Sequence, residues 1–486
     1  MDKNLKKLAP ETLWARFQEI CAIPHPSHHE EKIREYLVKF AKEHKLEYTI
    51  DEGPNVLIRK PATAGMEKKK TIVIQAHVDM VPQKNSDKVF DFEKDGIEAY
   101  IDGDWVTANG TTLGADNGIG VAAMMAILEA KNLKHGPIEA LFTATEETGM
   151  DGAFALRPGE LKGEILLNLD SETEGELYVG CAGGLDFSAT MKYDTVTLEK
   201  DTFVGYKVEI KGLRGGHSGM EIILQRANAN KLFARFMKVH QEKIGIMLCD
   251  IDGGGLRNAI PREAFATVAV LKKNEKAFLA AVKKFEKLYI EEYKGIEDTI
   301  SFKAYKTKNP SKAINYFDQA NLIDAVYACP NGVMKMSTSM PGLVQTSTNM
   351  ARVVSERGRF KILCLLRSSV NSEKDDLANV MKTVFEFAGA TVKLSGAYNG
   401  WNPNMDSPIL KTMKKGYKDL YGKTPEVVAI HAGLECGIIG GKYPDMDMIS
   451  FGPTIKYPHS PDEKVNIPSV DKFWKYLCHT LENAPE

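Results

Sequence analysis

Apolar, β-branched runs that stop at a chemically active side chain recur along the first 180 or so residues. Thr71-Ile72-Val73-Ile74-Gln75-Ala76 follows a lysine-rich lead-in and ends at His77. A short apolar run bounded by polar residues predicts a buried parallel strand. Ile138-Glu139-Ala140-Leu141-Phe142-Thr143-Ala144-Thr145 alternates as a strand does and runs into Glu146-Glu147, while Glu164-Ile165-Leu166-Leu167-Asn168-Leu169 runs into Asp170. Between them, residues 121–130 are apolar at nearly every position and predict a helix with little polar surface, entered through Leu113-Gly114-Ala115-Asp116-Asn117-Gly118. Alternating strands and helices predict a doubly wound α/β sheet. Its carboxyl edge is where such folds collect ligands.

From about residue 203 the pattern changes. Strands are expected at Phe203–Lys211, 246–252, Ala264–Leu271 and 300–305, with helices at 222–242 and 275–293. This β-α-β-β-α-β order is ferredoxin-like. A further set follows, with strands near 341–353, 359–367 and 391–397 and a helix at about 373–388. The reading is a large inserted α+β lid domain at 186–399, of ferredoxin-like character and built of two related halves. The catalytic domain is expected to comprise 1–185 and 400–486.

Composition narrows the setting. At 486 residues the chain exceeds one ordinary core. Its 63 basic and 65 acidic side chains leave a net charge of −2, which gives no broad field for nucleic acid or an anionic membrane. No segment approaches the roughly 20 apolar residues of a membrane span, and the amino-terminal stretch shows no apolar run of signal-peptide length. Seven cysteines without CxxC pairs argue against a disulfide framework. A cytoplasmic setting is the expectation.

The strand ends carry candidate chemistry. Asp79, two residues after His77, shares its side of an extended chain and is placed to support the imidazole or a bound water. Asp116 at a helix entrance serves either as an N-cap or as a carboxylate shared by two metal ions roughly 3.5–4 Å apart. Adjacent side chains diverge, so Glu147 is assigned as a metal ligand and Glu146 as the general base. Gly216-His217-Ser218-Gly219-Met220 lacks the last glycine of a nucleophile elbow, which rejects a serine-hydrolase reading.

These segments together resemble the M20 family of metallopeptidases, in particular its aminoacyl-histidine dipeptidase branch. The resemblance is carried by Ala76-His77-Val78-Asp79-Met80-Val81-Pro82, Thr112-Leu113-Gly114-Ala115-Asp116-Asn117-Gly118-Ile119-Gly120, Thr145-Glu146-Glu147-Thr148-Gly149-Met150-Asp151-Gly152-Ala153 and Leu169-Asp170-Ser171-Glu172. Gly215-Gly216-His217-Ser218-Gly219-Met220 and Pro458-His459-Ser460-Pro461 extend it over nearly the whole chain. It implies that His77 and Asp170 hold one ion, Glu147 and His459 the other, and that Asp116 bridges them. Family members usually carry zinc, with cobalt or manganese often supporting activity, and have a cis peptide at the position of Asp116-Asn117.

The resemblance further implies that His217 stabilises the tetrahedral oxyanion, from its own subunit or across a homodimer joined through the lid. Asn258 and Arg367 resemble substrate-binding positions, and Arg367 offers a planar fork to a peptide carboxylate. Glu435 is the candidate partner of the peptide ammonium. The expected activity is hydrolysis of unblocked dipeptides, Xaa-His and β-alanyl-histidine among them, with Glu146 taking a proton from water and passing it to the leaving amine. The rivals are an N-acyl amino acid deacylase of the same family, opposed by Glu435, and a catalytically silent metal- or peptide-binding protein, opposed by Glu146.

Overall fold

The computed structural model describes residue 2 and residues 4–486. The chain forms two compact units: the first holds the chain up to Cys181 with Trp401–Ala429 and Leu434–Glu486, the second Ala182–Gly400 with Ile430–Gly433. No helix among the described residues is long and apolar enough to cross a membrane.

The first unit is built on an eight-stranded sheet. Its order is Glu47–Ile50, Val56–Lys60, Ile138–Thr143, Ile72–His77, Ile165–Asn168, Asp447–Ser450, Glu176–Cys181 and Glu426–Ile430. Ile138–Thr143, Ile72–His77, Ile165–Asn168 and Asp447–Ser450 pair in parallel. Every residue of Ile72–His77, Ile138–Thr143 and Ile165–Asn168 is buried, as central parallel strands covered on both faces require. The expected alternation in Ile138–Thr143 is therefore not one of exposure. Glu139 is buried and satisfied by Arg59 Nε at 3.1 Å and the backbone N–H groups of Lys162 and Gly163 at 2.8 and 2.9 Å. The register sets His77 beside Thr143 and Gln75 beside Asn168, so the chain leaves all three strands at one edge. The helix Ala115–Glu129, apolar all round, packs against Ile72–His77. A smaller sheet joins Ile455–Lys456, Lys464–Asn466, Trp105–Ala108 and Ala99–Asp102.

The second unit contains two interlocked β-α-β-β-α-β sets in a nine-stranded sheet. The strands Ser301–Lys306, Phe203–Lys211, Ala264–Leu271 and Ile246–Gly254 lie side by side in that order, all antiparallel. The sheet continues through Val344–Glu356, Arg359–Ser368, Gly183–Lys192 and Thr391–Tyr398. The second set thus begins with Gly183–Lys192, a strand the sequence reading omits, and uses the helices Tyr316–Ala328 and Asn371–Phe387. The first set is inserted between the opening strand and first helix of the second. The helix expected from residue 222 starts at Ala229, because the Asn228 side chain accepts the N–H groups of Asn230 and Lys231 and caps it there.

Candidate functional site

Five side chains from separate segments of the first unit meet at the carboxyl edge of its parallel strands. His77 Nε2 lies 3.0 Å from Asp116 Oδ1 and 3.2 Å from Asp170 Oδ1. His459 Nε2 lies 3.2 Å from Asp116 Oδ2 and 2.9 Å from Glu147 Oε2. The two oxygens of Asp116 therefore face two different groups of donors. His77, Asp116 and Asp170 form one triad with ligand atoms within 4.8 Å of one another, and Asp116, Glu147 and His459 form a second. Glu146 also stands within that reach of His77 and Glu147. His459 reaches the cluster from a left-handed backbone, φ 58°, a conformation that non-glycine residues hold only where the surroundings impose it. The Asp116-Asn117 peptide is cis.

Buried groups fix this arrangement from behind. Asp79 faces His77 Nδ1 at 3.4 Å, accepts the Ser27 hydroxyl at 2.8 Å, and takes the backbone N–H groups of Glu146 and Glu147 at 2.9 and 3.2 Å. One carboxylate thus ties the imidazole to the loop carrying both glutamates. Gln75 spans the strands, accepting from Asn168 Nδ2 at 2.6 Å and donating to Glu435 Oε2 at 2.6 Å, while Thr143 donates to that same oxygen at 3.0 Å. Glu435 opens the helix Glu435–Lys442 and is fully buried. Only its Oε2 is held by the sheet; its Oε1 is buried without a hydrogen-bond partner.

The electrostatics mark the cluster as rich in negative charge. Burial opposes a proton on His77, but the charge of Asp170 and hydrogen bonds with Asp116, Asp170 and Asp79 hold its pKa well above the usual imidazole range. Hydrogen bonds to Asp116 and Glu147 push His459 up to about 11. Burial lifts Glu146 well above a normal carboxyl; the His77 charge works against this, and Asp170, Glu435 and Glu147 add to it. Asp79 behaves oppositely. Burial would raise it, but His77, the Glu146 N–H and Ser27 hold it down to about 2.

The cluster fits divalent metal ions. Glu147 Oε1 is buried without a hydrogen-bond partner, a costly state for a charged oxygen. Among the described residues no Lys or Arg forms an ion pair with Asp116, Glu147 or Asp170; only the two imidazoles do. Mixed imidazole and carboxylate donors in two groups sharing one carboxylate suit a pair of divalent cations.

The remaining candidates lie in the second unit. His217 Nδ1 accepts the backbone N–H groups of Gly219 and Met220 at 3.2 and 3.0 Å, which leaves the neutral ring's proton on Nε2. Burial and the neighbouring Arg367 charge lower its pKa, so the ring stays a neutral donor. Only glycine fits at 219, since a Cβ there would lie 2.3 Å from the His431 carbonyl oxygen. Arg367 is buried at the end of Arg359–Ser368; its Nε has no hydrogen-bond partner and its Nη1 only a 3.4 Å approach to Tyr398 Oη. Asn258 sits in an exposed loop whose backbone carbonyl accepts the Ser218 N–H at 2.8 Å. Asn349 Nδ2 braces that loop through the carbonyls of Arg257 and Ala259. Ser347 and Asn349 join this neighbourhood without having been singled out in the sequence, and so does His431, which the sequence leaves outside the metal set; His431 Nε2 is 2.7 Å from Ser347 Oγ. A run of five polar residues, 345–349, that opens a strand with a more apolar second half was the available signal for Ser347 and Asn349.

Comparison with known proteins agrees in family. The model of "Peptidase family M20/M25/M40" matches residues 73–483. The chain is 47% identical over 482 residues to the cytosol non-specific dipeptidase of Escherichia coli (strain K12), covering 99% of each. It is similar to the crystal structure of aminoacylhistidine dipeptidase from Vibrio alginolyticus, with a TM-score of 0.95, 48% identity, and coverage of 99% of this chain and 98% of that one. Aminopeptidase PepT from Bacillus cereus ATCC 10987 shares the fold at a TM-score of 0.62 and 18% identity, covering 98% of this chain and 99% of that one. With the match spanning most of the chain and holding the whole cluster from His77 to His459, the protein belongs to peptidase family M20/M25/M40.

Proposed function

We propose that the protein is a metal-dependent dipeptidase that hydrolyses unblocked dipeptides, Xaa-His and β-alanyl-histidine among them. The observation that carries this reading is the division of Asp116, with Oδ1 toward His77 and Oδ2 toward His459. It supports one ion held by His77 and Asp170, a second held by Glu147 and His459, and Asp116 shared, with zinc the first candidate and cobalt or manganese able to replace it. Such ions supply Lewis acidity to a peptide carbonyl and make water a better acid.

The chain's own residues supply the rest. Glu146, which stands beside His77 and Glu147, takes a proton from the attacking water and returns it to the leaving amine. Asp79 keeps His77 and the Glu146-Glu147 backbone in register. His217 is assigned the oxyanion, since its free Nε2–H is a donor. Arg367, a buried guanidinium with an unused Nε, is assigned the substrate carboxylate, with Asn258 beside the His217 loop as its second polar contact.

Preference for a free amino terminus rests on the two relatives named dipeptidases. Glu435 remains the candidate partner of the peptide ammonium: Gln75 and Thr143 engage only its Oε2, and its Oε1 has no hydrogen-bond partner. A cytoplasmic setting is supported by likeness to a cytosol enzyme, and a homodimer through the second unit is part of the same proposal. The test is hydrolysis of β-alanyl-histidine, ordinary dipeptides, tripeptides and acetylated amino acids after chelation and zinc add-back. Metal-restored cleavage confined to dipeptides is expected. Cleavage of acetylated amino acids alone would install the deacylase, and no cleavage at all would install the binding protein.

A further inference from the structure

The loop that delivers His459 also carries a buried carboxylate that the mechanism above does not use. Glu463 is almost fully buried. Its Oε2 accepts the backbone N–H groups of Leu113 and Gly114 at 2.7 and 3.0 Å, and its Oε1 those of Ala115 and Asp116 at 2.8 and 3.3 Å. Four successive N–H groups thus converge on one side chain, and the last belongs to the residue shared by the two triads. Gly114 permits this wrap through its left-handed φ of 71°.

Glu463 is itself held in place. Its carbonyl accepts the Thr107 hydroxyl at 2.8 Å, its N–H bonds to the Ser460 carbonyl at 3.0 Å, and the next residue, Lys464, begins the pairing with Trp105–Ala108. The turn from Ser460 to Glu463 is closed further by the Asp462 N–H on Ser460 Oγ at 3.2 Å. A short, braced segment therefore presents His459 to one triad at its start and grips the backbone of Asp116 at its end. His459 Nε2 and Asp116 Oδ2 meet at 3.2 Å between those two anchors.

We infer that Glu463 is a positioning residue of the metal centre: it clamps the 113–116 backbone so that the Asp116 carboxylate stands between both triads, and it couples that placement to His459. The inference rests on the metal-centre reading above. Its chemistry is that of a fixed acceptor. Hydrogen bonds from backbone N–H to a carboxylate are charge-assisted and directional, and groups that orient metal ligands typically change metal affinity or activity by about 10–100-fold when lost. In Glu463→Gln the amide nitrogen would face two N–H donors, which it cannot accept, so the loop carrying Asp116 must turn away.

The test titrates the full-length, chelator-stripped protein with Co2+, following visible absorption and heat, beside thermal unfolding read by tryptophan fluorescence. The parent is expected to take up two Co2+. Glu463→Gln should remain folded, bind both ions about 10–100-fold more weakly, and show altered ligand-field bands at saturating cobalt, a change that loss of general stability would not produce. Glu463→Asp, which keeps the charge and part of the acceptor set, should recover part of the affinity. A folded Glu463→Gln with parental affinity and bands overturns the inference and leaves the metal centre standing. If the Gln variant does not fold, the Asp variant decides: parental cobalt binding by it refutes the clamp, and failure of both variants to fold makes Glu463 a residue of the fold and refutes it as well. A parent protein that binds no Co2+ would instead overturn the metal-centre reading and this inference with it.

Discussion

Asp79→Asn isolates the contribution of a group that is itself in neither triad but holds the backbone behind both. The substitution keeps size and shape but removes the charge and replaces one acceptor oxygen by a donor. In the parent that carboxylate meets His77 Nδ1, the Ser27 hydroxyl and the N–H groups of Glu146 and Glu147, and their sum holds its pKa at about 2 against the ordinary 3.8. Displacement of that size corresponds to about 2 kcal/mol of interaction in the metal-free protein. Because the pKa is depressed, this contribution is complete above about pH 4 and is lost as pH falls through about 2. All four tryptophans, Trp14, Trp105, Trp401 and Trp474, lie in the first unit, so their fluorescence reports on that unit alone.

Urea unfolding of the chelated protein at pH 7 should show the first unit of Asp79→Asn destabilised by about 2 kcal/mol, with nearly the same loss at pH 5.5 from this carboxylate. With metal restored, kcat should fall about 10–100-fold with little change in KM, since the loop holding Glu146 loses its anchor while substrate contacts remain. An unfolding midpoint and a kcat both equal to the parent's would refute the account of Asp79 as the tie between His77 and the glutamate loop.

Glu146→Gln should abolish turnover while leaving two metal ions per chain by elemental analysis; retained activity would remove Glu146 from the proton-transfer role. Metal uptake should release on the order of two protons per chain at pH 7.5, because His459, raised to about 11, and His77, raised well above its usual range, are protonated in the metal-free state. Raised pKa values make these ion pairs stabilise the metal-free fold fully below about pH 6.5 and fade as pH rises toward 11, so apparent metal affinity should climb between pH 6 and 9; calorimetry in buffers of different ionisation heat that shows no proton release would contradict this. Arg367→Lys replaces a planar fork by a point charge and should lower kcat/KM for dipeptides by about 10–100-fold, mainly through KM, and unchanged KM would detach Arg367 from the substrate carboxylate.

The strand ends made much of the cluster legible. Ile72–His77, Ile138–Thr143 and Ile165–Asn168 are buried on both faces, so they stand out as apolar runs, and the polar residues just beyond them emerge at one edge by register alone. His459 was not legible by that route. It meets Asp116 across 343 residues of sequence, and only the family resemblance selected it. The strand Gly183–Lys192 was passed over although its burial alternates from Leu185 onward, which hid the opening element of the second β-α-β-β-α-β set. The helix start at Ala229 was placed too early because Ile222–Leu224 is a single apolar turn that the Asn228 cap separates from the helix proper. Glu435 illustrates a different limit. Its residue type suggests a partner for an ammonium, but its full burial and the hold of Gln75 and Thr143 on its Oε2 come from residues distant in sequence.

The polar groups around the cluster share a property that bears on its selectivity. Asp79 and Glu463 are oriented largely by N–H and O–H dipoles, and Glu435 by an amide and a hydroxyl. These donors fix geometry and lend partial positive charge, but none brings a full compensating charge as Lys or Arg would. Among the described residues, Asp116, Glu147 and Asp170 therefore remain a surplus of negative charge opposed only by two imidazoles that must lose their protons to act as ligands. A single monovalent ion cannot offset that surplus, and a hard ion that prefers an all-oxygen shell leaves the imidazole nitrogens poorly used. The donor set suits divalent ions that accept nitrogen and oxygen together, and the buried contacts of Asp79 and Glu463 hold the backbone that carries Asp116, Glu146 and Glu147.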